Sequence, residues 1–190
     1  AAVDWESQWA GVLKTVEGSP AQLQAVEDGL RELARTMPAT HGEIAAVAEA
    51  AGQLGIATDD VVEFTETMIM LGETTNMSAD EAATALARIS NIMGTEASDI
   101  ERMGATIVDL GNNAATTERE IIEMTTRLAA AGRQAGLSES DLFAVATTMT
   151  SVGVEAEAGG TAMSKVFTNA TTVSPPTGVT VASTLEKTAE

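Results

Sequence analysis

The chain has 190 residues, and its 28 acidic side chains against 10 basic ones give a formal charge of −18. That balance excludes a nucleic-acid binder, which needs a basic footprint, and a protein docked on anionic membrane surfaces; with no cysteine, disulfides, thiolate metal sites and cysteine nucleophiles are excluded too. Apolar residues make up 44% but aromatics only 3%, so the core must come from Ala, Val, Ile, Leu and nine Met, which suit closely packed helices better than a sheet.

The chain opens at Ala1 without Met, as a fragment or a processed chain would. Asp4 and Glu6 stand where a secretory signal would place a basic and then an apolar region. The first helix is expected over 4–16, where Trp5, Trp9, Leu13 and Val16 recur at helical spacing. They form an apolar seam that faces either the core or a partner.

Ser19, Pro20 and Gln22 then spell an N-cap, a proline at N1 and a capping-box partner at N3, which starts a helix over 20–36. Pro38 separates it from the next. Thr40 with Glu43 caps a helix over 41–53, and Gly55 follows as a left-handed C′ residue with Ile56 folding back on the last turn. Ala57 occupies the capping slot after it, leaving Thr58 to cap a helix over 58–73 one residue later.

Asn76, Met77, Ser78 and Glu81 repeat the same corner before a helix over 79–93. Ser98 with Glu101 and Thr117 with Glu120 start helices over 99–110 and 118–133. Gly136, Leu137, Ser138 and Asp141 are the fullest spelling: C′, C″, N-cap and N3, leading into 139–151. One apolar stripe recurs four times, as Val61, Phe64, Met68, Leu71; Ile100, Met103, Ile107, Leu110; Ile121, Met124, Leu128, Ala131; and Leu142, Val145, Met149, Val152. Each is an amphipathic helix face.

A last helix is expected over 156–171, and residues 173–190, with Pro175-Pro176 and "GVTVAS", as a linker or frayed tail. The segment from Glu43 also resembles the one from Glu120, which duplication and convergence both explain. The expected fold is therefore all-α, a compact array or bundle of about eight to nine short capped helices over residues 1–172.

Little in the sequence carries chemistry. His41 has no His or Cys companion, so a metal there would need carboxylates alone; it reads as an exposed first-turn residue. The acids crowd into first turns, as at Asp59-Asp60, Asp80-Glu81, Glu118-Glu120 and Glu139-Asp141, where the helix dipole favours them. "GNN" at 111–113 and "EAGGTAMS" at 157–164 lack the lysine spacing and preceding strand of a phosphate loop, and read as a helix stop and a close-packed helix start. No residue stands out as catalytic, cofactor-binding or metal-ligating, and no cofactor is expected. No run of 18 strongly apolar residues occurs, so no membrane span is expected.

Several long stretches have a familiar look: "EIAAVAEAAGQLGI", "FTETMIMLGETTNMSADEAATALARISNIMG", "GATIVDLGNNAATTEREIIEMTTRLAAAG" and "TSVGVEAEAGGTAMSKV". They resemble the core region of phage tail tape-measure proteins, and "WESQWAGVLKTVEGSPAQLQAVEDGLRELARTMPAT" resembles that family's lead-in. The resemblance covers about residues 4–172; after Val173 it stops, as a fragment boundary, an unusual relative or an appended tail would make it. It implies a virion protein that sets tail length and occupies the tail tube until the genome is ejected, located in the host cytoplasm during assembly. The implied partners are tail-tube, tail-tip and assembly-chaperone proteins, with self-association in the tail. No family site residues carry over. The alternative from another class is an all-α protein-interaction adaptor without catalytic activity.

Overall fold

A computed structural model describes residues 2–96 and 99–172. The expected tail over 173–190 and the Ser98 cap lie outside the described residues. Among those described, the chain forms nine α-helices: α1 (Ala2–Val12), α2 (Pro20–Thr36), α3 (His41–Gln53), α4 (Val61–Thr74), α5 (Ala79–Met93), α6 (Ile100–Asn113), α7 (Glu118–Gln134), α8 (Glu139–Ser151) and α9 (Ala156–Thr172). A 3-10 turn, Thr58–Asp60, precedes α4, and no strand occurs among the described residues. The fold is all-α, as the capped stripes require.

The caps act as spelled. Ser19, Thr40, Thr117 and Ser138 each accept a hydrogen bond from the backbone N–H three residues on, and the side chains of Gln22, Glu43, Glu120 and Asp141 return the bond to the cap backbone. Ser78 and Glu81 make the same reciprocal pair, at 2.9 and 3.2 Å. Each such cap contributes about 1 kcal/mol by satisfying amides that the first turn leaves unpaired.

At the C-terminal ends, Gly55 and Gly136 take φ of +82° and +81°, and Gly94 and Gly153 do the same at +79° and +80°. Around Gly136 the two bonds of a Schellman motif are both present: Gly136 N–H to the Arg133 carbonyl at 3.1 Å and Leu137 N–H to the Gly132 carbonyl at 3.0 Å. A Cβ at Gly136 would meet nothing within 4 Å. Its cost is therefore conformational, so Gly136→Val should destabilise by about 1–2 kcal/mol through the left-handed backbone alone. An unchanged melting temperature would remove the left-handed glycine as the reason for that joint.

Three local expectations are corrected. Asn76 is not left-handed, since glycine alone has positive φ among the described residues. Instead Thr75 ends α4 in extended backbone, its hydroxyl donating to the Leu71 carbonyl and accepting from Met77 N–H. A β-branched residue that can bond to its own turn removes the need for a left-handed one. Thr58 does not cap α4; its hydroxyl donates to the Glu17 carbonyl, and the helix starts through the 3-10 turn without a side-chain cap. The first helix ends at Val12, not at residue 16, because Lys14 and Thr15 close a tighter turn onto the Gly11 and Val12 carbonyls.

The chain divides into two compact units. The first comprises Ala1–Ser90 with Thr95–Val108. In it α3 packs against α1, α2 and α4, and α2 also packs on α4. The expected stripe Val61, Phe64, Met68 and Leu71 is buried, and so are Thr65, Thr67 and Ile69 beside it. α4 is thus covered on more than one face; at Gly104, α6 comes so close that a Cβ would lie 3.3 Å from Leu71 Cδ1.

The second unit comprises Asn91–Gly94 with Asp109–Glu190, and in it α7 packs against both α8 and α9. Ile121, Met124 and Leu128 are fully buried, as the stripe requires. The face of α8 is a correction. Leu142 is buried, but the rest of the buried face is Phe143, Ala146, Thr147 and Thr150, while Val152 is 75% exposed. Thr150 can turn inward because its hydroxyl donates to the Ala146 carbonyl at 2.9 Å and accepts from the Thr116 hydroxyl at 2.8 Å. A threonine satisfied in this way is close to an apolar side chain in cost.

Candidate functional site

The residues with most chemical character in the first unit meet where α1 lies against α2 and α3. Trp5 is 4% exposed. Its indole N–H donates to Glu27 Oε1 at 3.0 Å, the Arg31 guanidinium lies 5.2 Å from its ring centroid, and the His41 ring meets it edge-on at 5.5 Å. Trp9 stacks on Trp5 with centroids 6.5 Å apart. Arg31 also bonds Glu27 at 2.7 Å, so one carboxylate holds an indole and a guanidinium together. Such charge-assisted bonds are among the stronger polar contacts available near a surface.

The seam expected along α1 is thus divided. Trp5 and Val16 are core, Trp9 is half-buried, and Leu13 is 45% exposed because the helix has already ended at Val12. His41 is exposed, a first-turn residue whose ring makes an edge contact with Trp5.

The Trp5 hydrogen bond, opposed by partial burial and helped by Arg31, holds the Glu27 carboxyl below the usual glutamate value of 4.5. A depressed carboxylate adds stability that is fully present above the unfolded value and lost as pH falls through the folded one. Acidification below about pH 4.5 should therefore loosen α1, seen as a change in tryptophan fluorescence, since both tryptophans lie on that helix. Glu27→Gln should flatten this part of the pH profile. An identical profile for the variant would mean that Glu27 does not couple α1 to pH. Glu43 and Glu120 are also held low, by the N–H and then the hydroxyl of Thr40 and Thr117 respectively, but these bonds are local to their capping boxes.

The remaining motifs resolve into packing. "GNN" ends α6, with the Asn113 amide donating to the Asp109 carbonyl at 2.9 Å. Gly159 and Gly160 lie inside α9 against α7, where added Cβ atoms would sit 2.8 Å from Met124 Cε and from Arg127 Cβ. Of the first-turn acids, Asp59 accepts a hydrogen bond from the Gln22 side chain of α2 at 2.9 Å, and among the described residues no three His, Asp or Glu side chains are grouped to hold a metal. No helix among them is long and apolar enough to cross a membrane. What sequence reading missed is the Trp5–Glu27–Arg31 cluster, in which Trp5 lies 22 residues before Glu27; only the helical spacing of Glu27 and Arg31 hinted at it.

The family model described as "Phage-related minor tail protein" matches residues 27–188. The match continues past Val173, where the tape-measure resemblance stops. No curated protein and no solved structure matches the chain.

Proposed function

We propose a role inside the tail from one premise: the chain belongs to the phage-related minor tail protein family. It is a structural protein of the phage tail. Within that family, our reading is a module of a tape-measure protein, one that occupies the tail tube until ejection and meets tube, tip and chaperone proteins on the way. The tape-measure assignment rests on the sequence stretches quoted above.

The observation that supports a folded module, and not a measuring rod, is the succession of closed joints. A ruler is best made of uninterrupted helix at about 1.5 Å per residue. Here the longest helices among the described residues run for 17 residues, and glycines with positive φ stop four of the nine described. The side chains exposed by straightening the chain, such as Phe64, Met68, Leu86 and Leu128, are fully or almost fully buried. The first and second units are each held by such packing.

In-frame deletion of Thr58–Met93 from the parent phage protein tests this. A rod would lose roughly 36 residues, and the tail would shorten by about 54 Å while remaining intact. A packed module loses α4 and α5 and leaves the apolar faces of α2 and α3 bare, so the expected result is missing or defective tails. Intact tails shortened in proportion would overturn the folded-module reading.

A further inference from the structure

The residue before each odd-numbered helix from α3 onward accepts, at its carbonyl, a hydrogen bond from the fourth amide on. Thr40 takes it from Ile44, Ser78 from Ala82, Thr117 from Ile121 and Glu155 from Gly159. These four starts are 38, 39 and 38 residues apart. The joints keep the same rhythm. Gly55, Gly94 and Gly136 follow α3, α5 and α7 with positive φ, and the residue after each donates to the carbonyl five places before it. Six places after each glycine stands a buried aliphatic residue, Val61, Ile100 or Leu142. α2, α4 and α6 then end alike: the amides of Met37, Thr75 and Ala114, each three places before the next start, bond to Leu33, Leu71 and Leu110. Such a period marks a two-helix repeat, and the resemblance between the segments from Glu43 and Glu120 spans two of them.

Burial follows the period as well. The fourth residue after each start, Ile44, Ala82, Ile121 or Gly159, is buried. First helices lie side by side within each unit: Gln8 against Gly42 and Thr15 against Gly52, then Met124 against Gly159 and Arg127 against Gly160. The eleventh residue departs from the pattern. Ala51, Ile89 and Leu128 are wholly enclosed, yet Val166 in α9 is 54% exposed. Ala162, four places earlier, is exposed where its counterparts Val47 and Met124 are buried. α4 packs on α3, and α8 on α7, as the second helix of the repeat; no described helix follows α9.

We infer that the chain consists of two-helix repeats and that the Ala162–Val166 face of α9 is the seat of a partner helix built like α4 and α8. A repeat of this kind does not enclose its own apolar face, and a neighbouring helix completes it. The partner's chemistry follows from its counterparts: acids in the first turn, then aliphatic and aromatic residues at helical spacing. Charge does not forbid it. α8 carries Glu139 and Asp141 and still packs on α7 in a chain of charge −18, and α9 has no acid after Glu157. Residues 173–190 spell no such stripe, so the helix belongs to another protein segment. The inference does not depend on whether the chain measures tail length. Excision of Thr58–Met93 is shorter than the period and would set Ile100 nine places after Gly55 instead of six, so it restores no repeat.

The test supplies the helix in cis. Residues 1–169 are followed by a second copy of residues 132–153, which sets the Gly136 joint and α8 behind α9 in the register they keep behind α7. Amide exchange at Ala162 and Val166 should slow about tenfold or more relative to the 190-residue chain, and helical circular dichroism should rise. The same fusion with Leu142→Ser and Phe143→Ser in the copy should lose both effects, and Val166→Glu in the first fusion should restore fast exchange. Unchanged exchange in the first fusion, or equal slowing in the serine control, would overturn the inference. A disturbed amide spectrum for α1 to α8 also counts against it, since a seated helix leaves those residues where they are.

Discussion

Phe143→Ala should destabilise the second unit by about 3–5 kcal/mol, the usual cost of emptying a buried phenylalanine site, while Val152→Ala should stay within about 0.5 kcal/mol. The two residues test opposite readings of α8. By apolar spacing, Leu142, Val145, Met149 and Val152 form the inward stripe, and Phe143 stands beside it. In the fold, Phe143 is 2% exposed and Val152 is 75% exposed at the end of the helix. The cavity left by Phe143 would lie in the core of the α7–α9 unit. Both tryptophans belong to α1, so their fluorescence would not report it. Helical circular dichroism in denaturant, with hydrogen exchange along α7 to α9, is the suitable measurement. A larger loss for Val152→Ala than for Phe143→Ala would reinstate the sequence stripe and refute the observed packing.

Gly52→Val should cost about 1–3 kcal/mol by overpacking and should act on the first unit. Gly52 lies inside α3, where glycine is intrinsically poor and Ala would gain up to about 1 kcal/mol of helix propensity. What keeps glycine there is the chain that follows α1. A Cβ on Gly52 would lie 2.7 Å from the Thr15 carbonyl carbon and 2.8 Å from its oxygen. Backbone cannot swing aside as a side-chain end can, so α1 and its closing turn must lift away from α3. Even Gly52→Ala should therefore lower the melting temperature, with tryptophan fluorescence shifting as Trp5 leaves its site. A raised melting temperature for Gly52→Ala would mean that helix propensity outweighs the contact, and that α1 is held only by the cluster around Trp5.

These two predictions fall where sequence reading and structure differ, and the difference has a pattern. Capping boxes and left-handed glycines were legible because both partners lie within six residues of each other. Ser19 with Gln22, Thr40 with Glu43 and the Gly136 joint are each complete in a short word of sequence. Asn76 was misread at the same range because two local solutions competed, and the Thr75 hydroxyl won by bonding the Leu71 carbonyl. Gly94 and Gly153 are not singled out by the sequence, though their φ values are as positive as those of Gly55 and Gly136.

The absence of a recognisable catalytic set was a reading of composition: one His, no Cys and acids placed for helix dipoles. Membership in a phage tail family was legible, because it rests on residue order along most of the chain. The Trp5 cluster was not: it brings together residues on different helices, and nothing in either segment alone announces the other.

The sequence by itself determined where each helix begins and ends to within a few residues, because propensity, capping and turn conformation are energies of neighbours. Only the tertiary structure decided which face of α8 is buried and which interior glycines are contact points. Those outcomes depend on volumes and electric fields supplied by helices distant in sequence: Leu142 against Gly132, Arg127 against Gly160 and the Thr15 backbone against Gly52. A periodic stripe can show that a helix has an inner face. Its final rotation is set by what it packs against, where a phenylalanine gains more by burial than a valine and a self-bonded threonine loses little.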